Sequence, residues 1–157
     1  MPTRSIEQVL AEIKTFEGLE QRHLDRIAGC GRNCGFESGE YLAREGDAAD
    51  TFYVIRHGRV TLETPAPASG PLLIASLGDG TVVGWSWLFP PYRWSFDARA
   101  IDDTRAIAFD GACLRGKCEA DHELGYVLMQ RFAQIILDRL QSTRLQLLDV
   151  YGKPGGG

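Results

Sequence analysis

Phe52-Tyr53-Val54-Ile55-Arg56-His57-Gly58-Arg59-Val60 reads as a strand, a tight turn and the start of a second strand. Phe52 and Val54 alternate with Tyr53 and Ile55, the period-two spacing that sends one set of side chains inward. His57-Gly58 supplies the break. From Cys34 to Phe109 further turn signals recur at Ser38-Gly39, Glu45-Gly46-Asp47, the loop Pro65 to Pro71, Gly78-Asp79-Gly80 and Asp102-Asp103. The segments between them predict strands at 40–43, 51–56, 59–64, 72–77, 95–101 and 105–109. Short strands in even succession specify an antiparallel sandwich or barrel, here a small β-roll over 34–109.

Helical spacing flanks the roll on both sides. Ser5 and Gln8 form a capping-box pattern ahead of Ile6, Val9, Leu10, Ile13 and Phe16, which predicts a helix over 6–16 ended by Gly18. A second helix runs from 19 to 28, with Leu24 and Ile27 inward and Gly29 and Gly31 stopping it. After Asp110, a short helix spans 112–119 and Asp121 caps a long one reaching Tyr151, about 45 Å at 1.5 Å per residue. Its apolar stripe runs from Leu124 to Val150. A helix overhanging one small roll leaves Leu and Ile uncovered, so its middle is read as packing on a twin helix in a homodimer through 121–151. Lys153 to Gly157 reads as a frayed tail.

The 157 residues make one ordinary domain with room for a core. A hydrophobic fraction of 44% and a charged fraction of 24% are those of a globular protein. The net charge of −4 argues against general nucleic-acid binding, which draws on clustered Lys and Arg. No apolar run approaches a membrane span, and the N-terminus lacks the apolar core of a secretory signal, so the chain is read as cytoplasmic. Cys30, Cys34, Cys113 and Cys118 are spaced C-x3-C and C-x4-C, unlike a zinc knuckle, and read as reduced, partly buried thiols. His23, His57 and His122 are scattered without carboxylates at ligand spacing, so no metal site is assigned. Ser86 and Ser95 have no nearby base, so no catalytic residue is assigned and the chain does not read as an enzyme.

The chemistry concentrates in Gly84-Trp85-Ser86-Trp87-Leu88-Phe89-Pro90-Pro91-Tyr92-Arg93-Trp94-Ser95, which holds all three tryptophans. A turn opened by glycine and closed by Pro-Pro can aim backbone N–H groups at an anion. Arg93 is the only full charge in the segment. Two readings of it stand side by side. The aromatics either line a pocket for a planar ligand with Arg93 on its anion, or they fill the roll while Arg93 stacks at the surface on Tyr92 or Trp94.

Several motifs together resemble the cyclic nucleotide-binding domain of catabolite-activator-like regulators and cyclic-nucleotide-dependent kinase subunits. Leu42-Ala43-Arg44-Glu45-Gly46-Asp47 looks like the family's strand, glycine and acidic turn. The 52–60 stretch is similar to its hairpin, and Leu77-Gly78-Asp79-Gly80-Thr81-Val82-Val83-Gly84 to the strand entering the phosphate-binding cassette. Ala98-Arg99-Ala100 resembles the strand that leaves it. The resemblance implies a mainly β, double-stranded β-helix (jelly-roll) domain over 1–152, with helices at 6–28 and 111–151 and a long C-terminal helix. It also implies a ligand-sensing regulatory function, with cyclic AMP or cyclic GMP as the ligand and no required cofactor. Carried over residue by residue, the ligand contacts fall on Gly84, Arg93 and Ser95, and on Thr143 of the final helix; Trp85, Ser86 and Trp87 complete the expected ligand site as members of the aromatic segment. Two departures stand out. Trp85 occupies the place of the family's ribose-binding glutamate, and the phosphate arginine's place falls on Trp94, one residue after Arg93. Losing one charge-assisted hydrogen bond costs about 1.5–3 kcal/mol, roughly one to two decades in affinity.

The family's DNA-binding members continue past the long helix into a helix-turn-helix, and the sequence stops at Gly157 without one, so direct DNA binding is not expected. The alternative function is a diverged domain that binds a different small molecule or none and acts through protein contacts. A cysteine-based redox sensor is a third.

Overall fold

The computed structural model describes residues 4–152 apart from 67 and 69. Helix α1 (Ile6–Glu12), a 3-10 turn (Lys14–Phe16) and α2 (Gln21–Ala28) precede strands β1 (Gly31–Phe36), β2 (Tyr41–Ala43), β3 (Thr51–His57), β4 (Val60–Thr64), β5 (Leu72–Leu77), β6 (Val82–Val83), β7 (Asp97–Ala100) and β8 (Thr104–Asp110). Helices α3 (Gly111–Ala120) and α4 (His122–Gly152) follow. The strands form two four-stranded sheets, β1-β8-β3-β6 and β2-β7-β4-β5, antiparallel throughout. This is the expected roll with flanking helices and a long last helix. The tail 153–157 lies outside the described residues.

Local chemistry sets the helix ends. At the start of α1, the Ser5 hydroxyl accepts from the Gln8 N–H at 3.2 Å and the Gln8 side chain accepts from the Ser5 N–H at 2.8 Å. Asp110 caps α3 through the Cys113 N–H, and Asp121 accepts from the Leu124 N–H at 3.2 Å to start α4. The first helix is shorter than its apolar spacing suggests. It ends at Glu12 because Ile13 turns to extended backbone, and Phe16 reaches the core from the 3-10 turn instead.

Two strands differ from expectation. The roll begins at Gly31 rather than Cys34, because β1 pairs along β8 from Gly31↔Phe109 to Phe36↔Thr104. Its Arg32 and Asn33 are exposed and hide the strand from a hydrophobic pattern. Val82–Val83 is a separate two-residue strand held on β3.

Strand β3 also buries both of its faces. Phe52 and Val54 join Leu10, Phe16, Ile27, Ile107, Phe109, Leu124, Leu128 and Phe132 in a core between one sheet and the helices. Ile55 faces the other way, into a core inside the roll with Val60, Leu62, Leu77, Val83, Ala98 and Ala100. The period of two thus separates two interiors, which is why no polar set alternates with the apolar one. Beyond Ile135, helix α4 leaves both cores and exposes Leu137, Leu140, Leu145, Leu147, Leu148 and Val150. Among the described residues no helix is long and apolar enough to cross a membrane.

Candidate functional site

The 84–95 segment leaves β6 at Gly84, whose φ of 99° is a left-handed conformation suited to glycine. The Leu88 N–H then turns back to the Trp85 carbonyl at 3.2 Å, and the Tyr92 N–H to the Phe89 carbonyl at 2.9 Å. These bonds consume N–H groups that the sequence leaves free to meet an anion. Tyr92 is left-handed too, with φ 56°.

From Tyr92 onward the segment is laced to the β2–β3 loop. The Ala49 N–H donates to the Tyr92 carbonyl at 2.7 Å, the Gly46 N–H to the Trp94 carbonyl at 2.9 Å, and the Trp94 N–H to the Asp47 carbonyl at 2.9 Å. Arg93 pairs with Ala48 in an isolated bridge. Its exposed guanidinium donates from Nη1 to the Gly46 carbonyl at 3.0 Å. Arg93 is therefore neither buried nor stacked on Tyr92 or Trp94, and the β2–β3 loop is its only recorded partner among the described residues. Ser95 is exposed next to it, and Ser86 is half-buried in the opening turn.

The three tryptophans go to three environments. Trp87 is fully buried in the helical core, stacked on Phe52 at 5.0 Å and edge-on to Phe132 of α4 at 5.2 Å. Trp94 lies inside the roll, 5% exposed, against Phe96 and Gly84. Half-buried Trp85 lies between the two cores, edge-on to Phe96 at 5.3 Å. Trp94 stands in the place where the resemblance puts the phosphate arginine, so an indole occupies that position inside the roll.

Arg115 of α3, which no sequence motif singles out, braces the segment. Its Nη1 donates to the Trp87 carbonyl, and its guanidinium lies 4.4 Å from the centroid of the Tyr92 ring. Asp97 is a second residue missed by the sequence reading. It is buried at the start of β7, accepts the Glu45 N–H at 2.7 Å, and fixes the loop that Arg93 contacts. A charge immediately after Phe96, on a strand otherwise apolar inside, was the available signal.

Thr143 stands apart. It is half-buried on α4, eight residues beyond Ile135 or about 12 Å along the axis, beside Leu140, Arg144 and Leu147. Among the described residues no hydrogen bond or ring contact joins it to 84–95. The nearby Gln146 side chain instead donates to the Ile74 carbonyl of β5 at 3.2 Å.

All four cysteines are free thiols. Burial, with a hydrogen bond to Cys113, pushes the Cys30 thiol up to about 12. Burial raises Cys34 and Cys118 as well. No three of them meet in a metal-binding cluster among the described residues.

Comparison with known proteins agrees with this fold. The cyclic nucleotide-binding domain family matches residues 34–121. The CRP-like cAMP-activated global transcriptional regulator of Mycobacterium tuberculosis is 25% identical over 145 residues, covering 92% of this chain. The chain spans 63% of the length of that relative. A solved structure from Geobacter metallireducens GS-15, of a protein named for cyclic nucleotide binding, is 30% identical with a TM-score of 0.77, covering 88% of this chain and 99% of that one. The catabolite activator protein of Thermus thermophilus shares the fold at 21% identity and a TM-score of 0.69, over 85% of this chain and 61% of that one. On the extent of the family match and the shared two-sheet roll, the chain belongs to the cyclic nucleotide-binding domain family.

Proposed function

We propose that the chain is a regulatory, non-catalytic domain in which a ligand at the 84–95 cassette sets the position or pairing of α4, and a partner reads that change. The observation that carries this reading is the brace between cassette and helices. Arg115 of α3 holds the segment at Trp87 and at Tyr92, while Trp87 packs on Phe132 of α4. Any rearrangement of the cassette must repack that ring pair.

The ligand class is cyclic AMP or cyclic GMP, in line with the cAMP-activated relative. Arg93, exposed and held by one carbonyl, swings to the cyclic phosphate. Gly84 and Ser86 offer backbone and hydroxyl, Ser95 supplies a second hydroxyl, and half-buried Trp85 supplies the aromatic wall, whereas Trp87, fully buried in the helical core, is no ligand contact. Thr143 is the contact from α4. The exposed leucines of α4 form the surface of a homodimer, and output passes through protein contacts in the cytoplasm.

Titration calorimetry with each cyclic nucleotide tests the reading. Ligand at about 100 times its dissociation constant adds about 2.7 kcal/mol and raises the melting temperature by roughly 5–10 °C for a chain of this size. Arg93→Ala removes the shift. One observation favours a second reading, an interaction domain with a self-filled cassette. The Trp94 indole sits against Gly84 inside the roll, and Trp85 packs on Phe96. No heat and no thermal shift with either nucleotide select that reading.

A further inference from the structure

Outside the cassette, α2 and the first turn of α4 bring together a cluster that the mechanism above does not use. His23, on α2, is 2% exposed, and neither ring nitrogen has a hydrogen-bond partner among the described residues. Its Nε2 faces Glu123 Oε1 at 3.6 Å, too long for a hydrogen bond. Glu20, the residue before α2, completes the group, and one donor atom from each of the three lies within 4.8 Å of the others.

The spacing suits a metal better than a proton. Two ligands on a tetrahedral zinc ion, with bonds of about 2.0–2.1 Å, stand about 3.3–3.4 Å apart. The His23–Glu123 distance needs only a small inward movement to match. An imidazole nitrogen with two carboxylates selects a zinc-type ion over magnesium or calcium, which take oxygen ligands. The two carboxylates already attract one cation, the guanidinium of Arg22. That guanidinium spans both carboxylates, with Nε 2.8 Å from Glu20 and Nη2 2.6 Å from Glu123, and Nη1 3.7 Å from Asp121. It is half-exposed, so an incoming dication can displace it toward solvent.

We propose that Glu20, His23 and Glu123 form a binding site for a divalent transition-metal ion of the zinc type, with water in the remaining position. Bound metal gives the Nε2 of the buried imidazole a partner and ties α2 to the start of α4. Arg22 is the cation it displaces.

Zinc calorimetry and cobalt absorption on the full chain test this. One zinc per chain and a raised melting temperature are expected, with a cobalt spectrum of nitrogen and oxygen ligands. Glu123→Gln and His23→Gln each weaken binding by about tenfold or more, while Arg22→Gln tightens it. Magnesium gives no effect. Where His23→Gln fails to fold, Glu123→Gln decides, since the Glu123 side chain is 60% exposed. Zinc heat absent in the native chain, native affinity in the Glu123 variant, or a sulfur-to-cobalt charge-transfer band overturns the site.

Discussion

The indole of Trp94 packs so closely on Gly84 that a β-carbon at residue 84 would come within 2.5 Å of the ring's Cη2. Residue 84 also has a φ of 99°. Gly84→Ala therefore combines overpacking with a conformation alanine resists, and together these cost roughly 2–4 kcal/mol. Denaturant melts will show a lowered midpoint with an unchanged slope. If this variant matches the native chain, the contact between glycine and indole is not rigid.

Trp87→Ala removes a fully buried ring that touches Phe52 and Phe132. A loss of about 3–5 kcal/mol is expected, measured by the same melts. Trp87→Phe loses less, because its ring nitrogen has no acceptor among the described residues and only volume is forfeited.

Arg115→Ala cuts the brace from α3 at the Trp87 carbonyl and at the Tyr92 ring. The global cost is small, about 1–2 kcal/mol for one hydrogen bond and one cation–π contact. Its effect is local. Amide exchange in 85–92 will accelerate while β3 and β8 keep their protection. Unchanged exchange in the segment would remove the coupling on which ligand sensing through α4 depends.

Stability will fall as pH rises into the alkaline range. Burial raises the Cys30 thiol to about 12, and Cys34 and Cys118 shift in the same direction. An unfolded thiol ionises near ~8.5. Above that value the unfolded chain binds fewer protons than the folded one, so the contribution is complete below ~8.5 and is lost as pH climbs toward the folded value. Cys30→Ala will flatten the fall between about pH 8 and 10 in urea melts.

The acid limb has the opposite sign. The Leu124 N–H lowers Asp121, Arg22 lowers Glu123, and the Gly58 N–H lowers Asp79. Each contribution is present above the ordinary carboxylate range and is lost as pH falls from that range through the lowered folded value. Asp121→Asn keeps a cap but will reduce this acid dependence, and urea melts from pH 6 down to about 3 will read the difference.

What the residues alone determined is whatever acts within a few positions along the chain. The Ser5–Gln8 capping box, the strand 51–57, the turn at Gly58 and the cap at Asp121 come from backbone preferences and nearest-neighbour hydrogen bonds, so all are legible without coordinates. The family motifs extend that reading to the roll because they are runs of local signals. The fold alone decided which of two interiors each buried ring enters. Trp87 and Trp94 are seven positions apart in one aromatic segment, yet one packs on α4 and the other inside the roll. The direction of Arg93 depends on the Gly46 carbonyl, which belongs to a different loop. Arg115 meets Trp87 across 28 positions, and His23 meets Glu123 across 100. Such pairs follow from sheet register and helix docking, which sum over the whole chain, so no local pattern announces them.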